Sequence, residues 1–570
     1  MLNDNFMKKF YIHIFKSLLL VLITNSFSSK AYSQEIEDQI FKLTRAFRVI
    51  HAYYVDSVNE SKLIDKAIIE MLKNLDPHST YLTPDEVQET NENLEGFFPG
   101  IGIQYFVIKD TIVIVSTIEN SPAQKANLIN GDRLIKIDSI PIIERKLKDK
   151  QIQKLIRGAL GSTIKLTIKR PGQNNLVELN LMREKIPIYS IESAYMVDKN
   201  IGYIRLNRFA ATSVKEFNDA LTKLKSKGLE NLILDLRDNG GGYLQTAIDL
   251  TDEFLSDNKL IVYTQGANSP RSEYFSTNMG SFEDGNLVIL IDEGTASASE
   301  ILTGAIQDWD RGVVVGRRSF GKGLVQRPFS LQDGSLIRLT TARYYTPSGR
   351  LIQKSYNMEN KDYKKEIENR YRTGQMTSLD SIHFADTTRY ITKVKKRVVY
   401  GGGGIMPDYF VPMDTTGFTG YYKDIVRKGI LNAFVIDYIE SNRKNLQTNY
   451  PHFNQFKRYF TVTDNVLTDL KKFANRPEFS ITKAKNYSGY RSNQEIILDN
   501  DNRLALNKPN NFDDDFTLSK DEIRKQIKAL IAKDLWKTNE YFEILNENDA
   551  TMNKAIEILK NKFLYEAKLK

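Results

Sequence analysis

The stretch Leu287-Val288-Ile289-Leu290-Ile291-Asp292-Glu293-Gly294-Thr295-Ala296-Ser297-Ala298-Ser299-Glu300 decides the fold class. Its unbroken apolar run reads as a strand buried on both faces. Gly294 interrupts the run, and a helix is expected from about Ala298 to Trp309. The same unit occurs twice upstream. Gly202-Tyr203-Ile204-Arg205-Leu206 leads to an amphipathic helix from Val214 to Lys225, and Leu232-Ile233-Leu234-Asp235-Leu236 passes through Gly240-Gly241-Gly242 into a helix ending near Phe254. Strands and helices in alternation mark a layered α/β core.

Working outward, the block before this core has another character. Gly100-Ile101-Gly102-Ile103 precedes an alternating strand at Thr111 to Val115, a short helix start at Ser121 and the turn Asn130-Gly131-Asp132 into Leu134 to Ile137. A helix from Lys148 to Ile156 and a strand from Thr163 to Ile168 complete a small domain of strands and two helices. Further upstream, Ile40, Leu43, Phe47 and Ile50, then Leu63, Ala67, Ile68 and Leu72, fall at helical spacing and predict two helices. Beyond about Asn357 the chain turns charged and helical. There Ser519-x-x-Glu522 ahead of Ile523, Ile527, Leu530 and Ile531 reads as a capping box that starts a helix. Gly401 to Gly404 read as a flexible approach to a strand. The expected boundaries are a leader over 1–33, a helical segment over 34–84, the small β domain over 85–183, the α/β core over 184–356, an insertion and return strand over 357–415, and a mainly helical extension over 416–570.

The 570 residues are 41% hydrophobic, 11% aromatic and 26% charged, as in ordinary globular proteins, which excludes disordered, collagen-like and polytopic membrane classes. Lys and Arg number 80 against 71 Asp and Glu, a net charge of +9 with no basic tract for nucleic acid. The absence of cysteine removes disulfides, thiolate metal sites and a thiol nucleophile together. Lys8, Lys9 and Lys16 precede Leu18 to Ile23, and Ala31-Tyr32-Ser33 supplies a small-x-small cleavage pattern, so the first 33 residues read as an export signal.

Histidines occur at 13, 51, 78, 383 and 452 only, so the α/β core lacks the usual general base. A lysine can replace it, because burial disfavours the ammonium and frees an amine to take a serine proton. Ser297 and Ser299 stand where strand turns into helix, each able to be either a nucleophile or a helix cap. Lys322 follows between Gly321 and Gly323. Gly316, Gly321 and Lys322 imitate a phosphate loop, but Gly323 stands where the magnesium-binding hydroxyl belongs and a strand, not a helix, follows.

These residues resemble a known family. Gly-Thr-Ala-Ser-Ala-Ser-Glu-Ile (294 to 301), Gly-Ala-Ile-Gln-Asp (304 to 308), Ser-Phe-Gly-Lys-Gly-Leu-Val-Gln (319 to 326), Leu-Asp-Leu-Arg-Asp-Asn-Gly-Gly-Gly (234 to 242) and Leu-Asp-Pro-His-Ser-Thr-Tyr-Leu (75 to 82) look like motifs of the C-terminal processing peptidases, or tail-specific proteases. The similarity spans roughly residues 36 to 412. It implies a multidomain α/β protein with a crotonase/ClpP-like layered peptidase core and an inserted PDZ domain, acting as a serine endopeptidase. The resemblance puts the nucleophile on Ser297, the base on Lys322 and its orienting partner on Gln326. The oxyanion hole falls on the amide of Ala298 and one from the 240 to 242 loop, with Gly241 favoured. Gly100, Ile101 and Gly102 would present amides to a substrate's terminal carboxylate. Asp235, Arg237 and Glu300 are read as structural. The expected partners are proteins or peptides with free C-termini, in a bacterial periplasm or envelope, with no nucleic acid, metal, cofactor or lasting membrane span. A catalytically silent PDZ scaffold and a crotonase-like acyl-transfer enzyme compete with this reading; the serine, lysine and glutamine together with an export signal count against both.

Overall fold

The computed structural model describes residues 34–108, 111–142, 147, 149–356, 363, 365–384, 388–476 and 512–569. The expected leader lies outside the described residues. The chain divides into two compact units at Leu75 and Asp76. Among its described residues the first contains two helices, one over 34–53 and one at Glu60–Lys73, which Asn59 caps by accepting from the Lys62 amide.

In the second unit the core sheet has six strands in the order Ile191–Met196, Ile201–Leu206, Asn231–Asp235, Asn286–Ile291, Val313–Gly316 and Tyr409–Phe410. The first pair is antiparallel and every other pair parallel. Period-two alternation divides their side chains between two cores. Ile204, Leu232, Leu234, Ile289 and Val314 meet the helices Ser213–Lys225, Leu244–Asp252 and Ala298–Asp308 through Phe217, Leu221, Leu250 and Leu302. Tyr203, Ile233, Val288, Leu290 and Val315 point the other way, onto Met552, Ala555, Ile558, Leu559 and Tyr565. The apolar strands are thus covered on both faces, the second by helices Ala550–Lys560 and Lys562–Ala567 at the far end of the chain.

That arrangement makes the C-terminal helices part of the core. Burying five side chains at about 1.5–3 kcal/mol each amounts to roughly the whole stability of a domain, about 5–15 kcal/mol. A chain truncated after Glu547 is therefore expected to be insoluble or to lose its cooperative thermal transition. A native-like melt of the truncated protein would contradict this.

A second sheet carries Leu324–Ser330 and Leu336–Tyr345, with Thr80–Leu82, Leu260–Gly266 and Ser269–Phe275. The β domain upstream pairs Ile103–Ile108, Thr111–Thr117, Arg133–Ile137, Thr163–Lys169 and Leu176–Met182 in that order, around Ile112, Ile114, Leu134, Ile152 and Leu166. Among the described residues between 420 and 546, six helices enclose a core of their own, with Phe434, Phe456, Leu470, Ile523 and Ile527.

Two expectations need correcting. The helix expected to start at Ser519 runs from Phe512 to Leu535. Ser519 is buried within it, its hydroxyl 2.6 Å from that of Thr419; a tertiary partner satisfies the group that was read as a cap. The glycines 401 to 404 are packed rather than flexible. Gly402 and Gly404 donate to the carbonyls of Leu351 (2.7 Å) and Ile352 (2.8 Å), and a Cβ on Gly404 would lie 2.5 Å from Ser319 O, so these glycines permit close backbone approach.

Candidate active site

Ser297 stands immediately before the Ala298–Asp308 helix with φ 57° and ψ −114°, a conformation that a residue with a Cβ occupies only when its surroundings impose it. Those surroundings are visible. Ser297 N donates to Glu300 Oε2 (2.9 Å), Ala296 N donates to Asn239 O (2.9 Å), and the Tyr344 hydroxyl lies 3.0 Å from Ser297 O and 2.5 Å from Lys322 O. Ser297 is half-buried, whereas Ser299 is fully buried and its hydroxyl donates to Asn239 O (2.9 Å). The two serines left open by the local sequence thus differ in environment.

Glu300 draws the site together. Its fully buried carboxylate accepts from the amides of Ser297 and Lys322 on Oε2, and from Gly321 N and the Ser319 hydroxyl on Oε1. Burial raises its pKa, opposed by these same hydrogen bonds. The amides of Ser297 and Lys322, far apart along the chain, therefore meet at a single oxygen. Gly321, at φ +88°, lets the loop pass within contact of Gly403 and Gly404.

Lys322 Nζ donates to Gln326 Oε1 (2.8 Å), and Gln326 Nε2 donates to His78 O (2.5 Å). The second bond fixes which end of the amide faces the lysine, since only the carbonyl can accept from an amine. Burial, then repulsion from Arg338, pushes the Lys322 pKa down to about 8, against the attraction of Glu300 and Asp76. His78 is pushed down to about 3 by burial and by the Lys322 charge. Asp76 holds the His78 segment by accepting from His78 N, Ser79 N and the Ser79 and Thr340 hydroxyls.

The Gly240 to Gly242 turn abuts this pair. A Cβ on Gly241, at φ +98°, would lie 2.9 Å from Ala298 N and from Ser297 Cβ. The Gly241 amide, however, donates to Asn239 Oδ1 (2.9 Å), and Asn239 Nδ2 to Leu206 O (2.8 Å). Here the structure departs from expectation: the amide favoured for the oxyanion is committed to a side chain. Asn239 was missed, although Asp238-Asn239-Gly240 is the composition of an Asx-type turn. Asp235 pairs with Arg205 (3.0 Å) and Arg237 (2.7 Å), and Arg237 reaches Asp549 (3.0 Å) in the C-terminal extension.

In the β domain, Gly100 closes the strand Phe97–Gly100 opposite Glu184, and the Ile101 side chain is fully buried in the domain core. Gly102 has φ +76° and packs on Ser121. The carbonyls of Ile101 and Gly102 accept from Ala123 N and Ile118 N (2.9 Å each). Among the described residues, Ile103–Ile108 pairs on one side only and so forms an edge of its sheet. Among the described residues, no cluster of three His, Asp or Glu could hold a metal ion, and no helix is long and apolar enough to cross a membrane.

Comparison with known proteins matches residues 200–360 to peptidase family S41, 99–181 to the PDZ domain, 21–86 to the N-terminal domain of the activating protease CtpB, and 421–537 to a family of unknown function, DUF8443. The chain is 36% identical to a carboxy-terminal-processing protease of Bartonella bacilliformis, across 60% of its own length and 79% of that protein. It is 34% identical to the carboxy-terminal processing protease CtpA of Bacillus subtilis, across 59% of its own length and 72% of that protein. With this similarity across an S41 region and a PDZ domain, the chain belongs to the carboxy-terminal processing protease family and is a serine-type peptidase.

Proposed function

We propose that the protein is an exported endopeptidase that captures protein C-termini in its PDZ domain and cleaves upstream through a Ser297–Lys322 pair. The convergence of the Ser297 and Lys322 amides on Glu300 Oε2 carries this reading. Neutral Lys322 takes the Ser297 proton as Oγ attacks the scissile carbonyl carbon, and the ammonium then protonates the leaving amine. Water then attacks the acyl carbon while the same amine takes its proton; the C–Oγ bond breaks, the ammonium returns that proton to Ser297 Oγ, and the acyl group leaves as a carboxylic acid. Gln326 accepts from Nζ and aims the lysine. The Ala298 amide, at a helix N-terminus, faces developing negative charge. With Gly241 committed to Asn239, a second donor must come from another amide of the 240 to 242 turn or from its rearrangement. The export signal read in residues 1–33 supports secretion into a periplasm or envelope, and the domain limits 85–183 and 184–356 remain our proposed division.

For the PDZ domain, the amides of Gly100, Ile101 and Gly102 receive the carboxylate, and the edge Ile103–Ile108 receives the peptide as an added strand. Amidating a substrate's C-terminus removes a charge-assisted hydrogen bond of about 1.5–3 kcal/mol, so kcat/KM should fall roughly 10- to 150-fold. Equal rates for free acid and amide, measured well below saturation, would remove C-terminal recognition from this account.

A further inference from the structure

The strand Leu336–Tyr345 supplies one more side chain to the catalytic face. In its pairing with Leu324–Ser330, Thr340 lies opposite Gln326 and Arg338 opposite Pro328. Residues two apart on a strand share a face, so Arg338 stands beside Gln326 and Thr340. Both neighbours already serve the site: Gln326 holds Lys322, and Thr340 bonds to Asp76 and Ser79. Arg338 also repels Lys322 and His78, which places its charge within electrostatic reach of the pair.

Among the described residues, no anion pairs with this cation. Arg205, Arg237, Arg317, Arg350, Arg370 and Arg397 each contact a carboxylate, yet among the described residues none lies within ion-pair distance of Arg338, and its Nε is buried without a hydrogen-bond partner. Asp76, which bonds to the neighbouring Thr340, has both oxygens engaged by His78, Ser79 and Thr340. A half-buried guanidinium left unpaired costs free energy, while its planar fork suits a bidentate carboxylate.

We propose that Arg338 binds a carboxylate of the peptide substrate next to the scissile bond, making it a specificity residue of the cleft. The carboxylate is either an acidic side chain near the cut or a chain terminus close to it. The inference rests on the peptidase reading above, and the test separates the two.

The experiment compares kcat/KM for amidated peptides carrying Glu or Gln at each position around the cut, and for neutral peptides whose free or amidated terminus lies close behind it. Wild type and Arg338→Met are assayed at about pH 9, where Lys322 is mostly neutral; loss of the Arg338 charge raises the Lys322 pKa, but that slows every peptide alike and leaves ratios intact. At one position, or in the terminal arm, wild type should favour the carboxylate roughly tenfold or more, and Arg338→Met should bring that ratio near unity. A terminal preference that survives in Arg338→Met belongs to the PDZ domain. Arg338→Lys keeps the charge without the fork and should fall between the two; with melting curves of each variant it separates lost recognition from lost folding. No preference in wild type, or the same preference in Arg338→Met, overturns the inference while Ser297-dependent cleavage keeps the peptidase reading standing. Cleavage that persists in Ser297→Ala would overturn that reading and this inference with it.

Discussion

Ser297→Ala is expected to yield a folded protein whose kcat on tailed peptides is lower by at least about 10⁴-fold, because nucleophile and base act as one unit and removing either forfeits what both contribute. Alanine keeps the Cβ, so the backbone at φ 57° is as strained as before and the amide still reaches Glu300. Ser299→Ala is the control. It removes a buried hydroxyl bonded to Asn239 O, a loss of about 0.5–1.5 kcal/mol in stability, and should leave activity within roughly tenfold. Thermal melts and peptide cleavage on the two variants decide the matter. An inactive Ser299→Ala beside an active Ser297→Ala would reverse the assignment.

Activity should rise with pH through a midpoint near 8, since only the neutral amine accepts the serine proton and burial with the Arg338 charge brings Lys322 down to about 8. About a tenth of the enzyme carries the free amine at pH 7 and about nine-tenths at pH 9, so kcat/KM should change nearly tenfold across that interval. The direction is fixed: activity is lost as pH falls through the lysine pKa. Lys322→Arg should be inactive at every pH, because a guanidinium stays protonated. Lys354 is also pushed down to about 8, by burial, beside Glu366 (3.1 Å). Lys354→Met separates the two lysines, and a midpoint that vanishes with Lys354 would take the base assignment away from Lys322. His78, at about 3, is neutral throughout this range and adds no step.

Much of this was legible in the linear chain for a physical reason. Strand and helix periodicity is local, so the run from Leu287, the turn at Gly294 and the helix from Ala298 could be read from side-chain pattern alone. The family motifs likewise carried Ser297, Lys322 and Gln326 as candidates. What periodicity could not express is which distant groups satisfy a buried polar atom. The sequence marked Glu300 as structural, but only the fold brings Ser297, Ser319, Gly321 and Lys322 to its two oxygens. The same holds for Gly241, whose amide a neighbouring asparagine captures, and for Ser519, whose apparent cap dissolves once Thr419 arrives from 100 residues away. Coverage of the core sheet was foreseeable from its apolar strands, yet the identity of the cover was not: Met552, Ile558 and Tyr565 are ordinary helical residues until the chain folds back. Local pattern determined which elements form and where the reacting side chains sit along the chain. Tertiary packing alone decided which of them meet, how far the lysine is stripped of water, and that Arg338 stands near it with no carboxylate partner among the described residues, because burial and charge pairing depend on neighbours that sequence distance does not reveal.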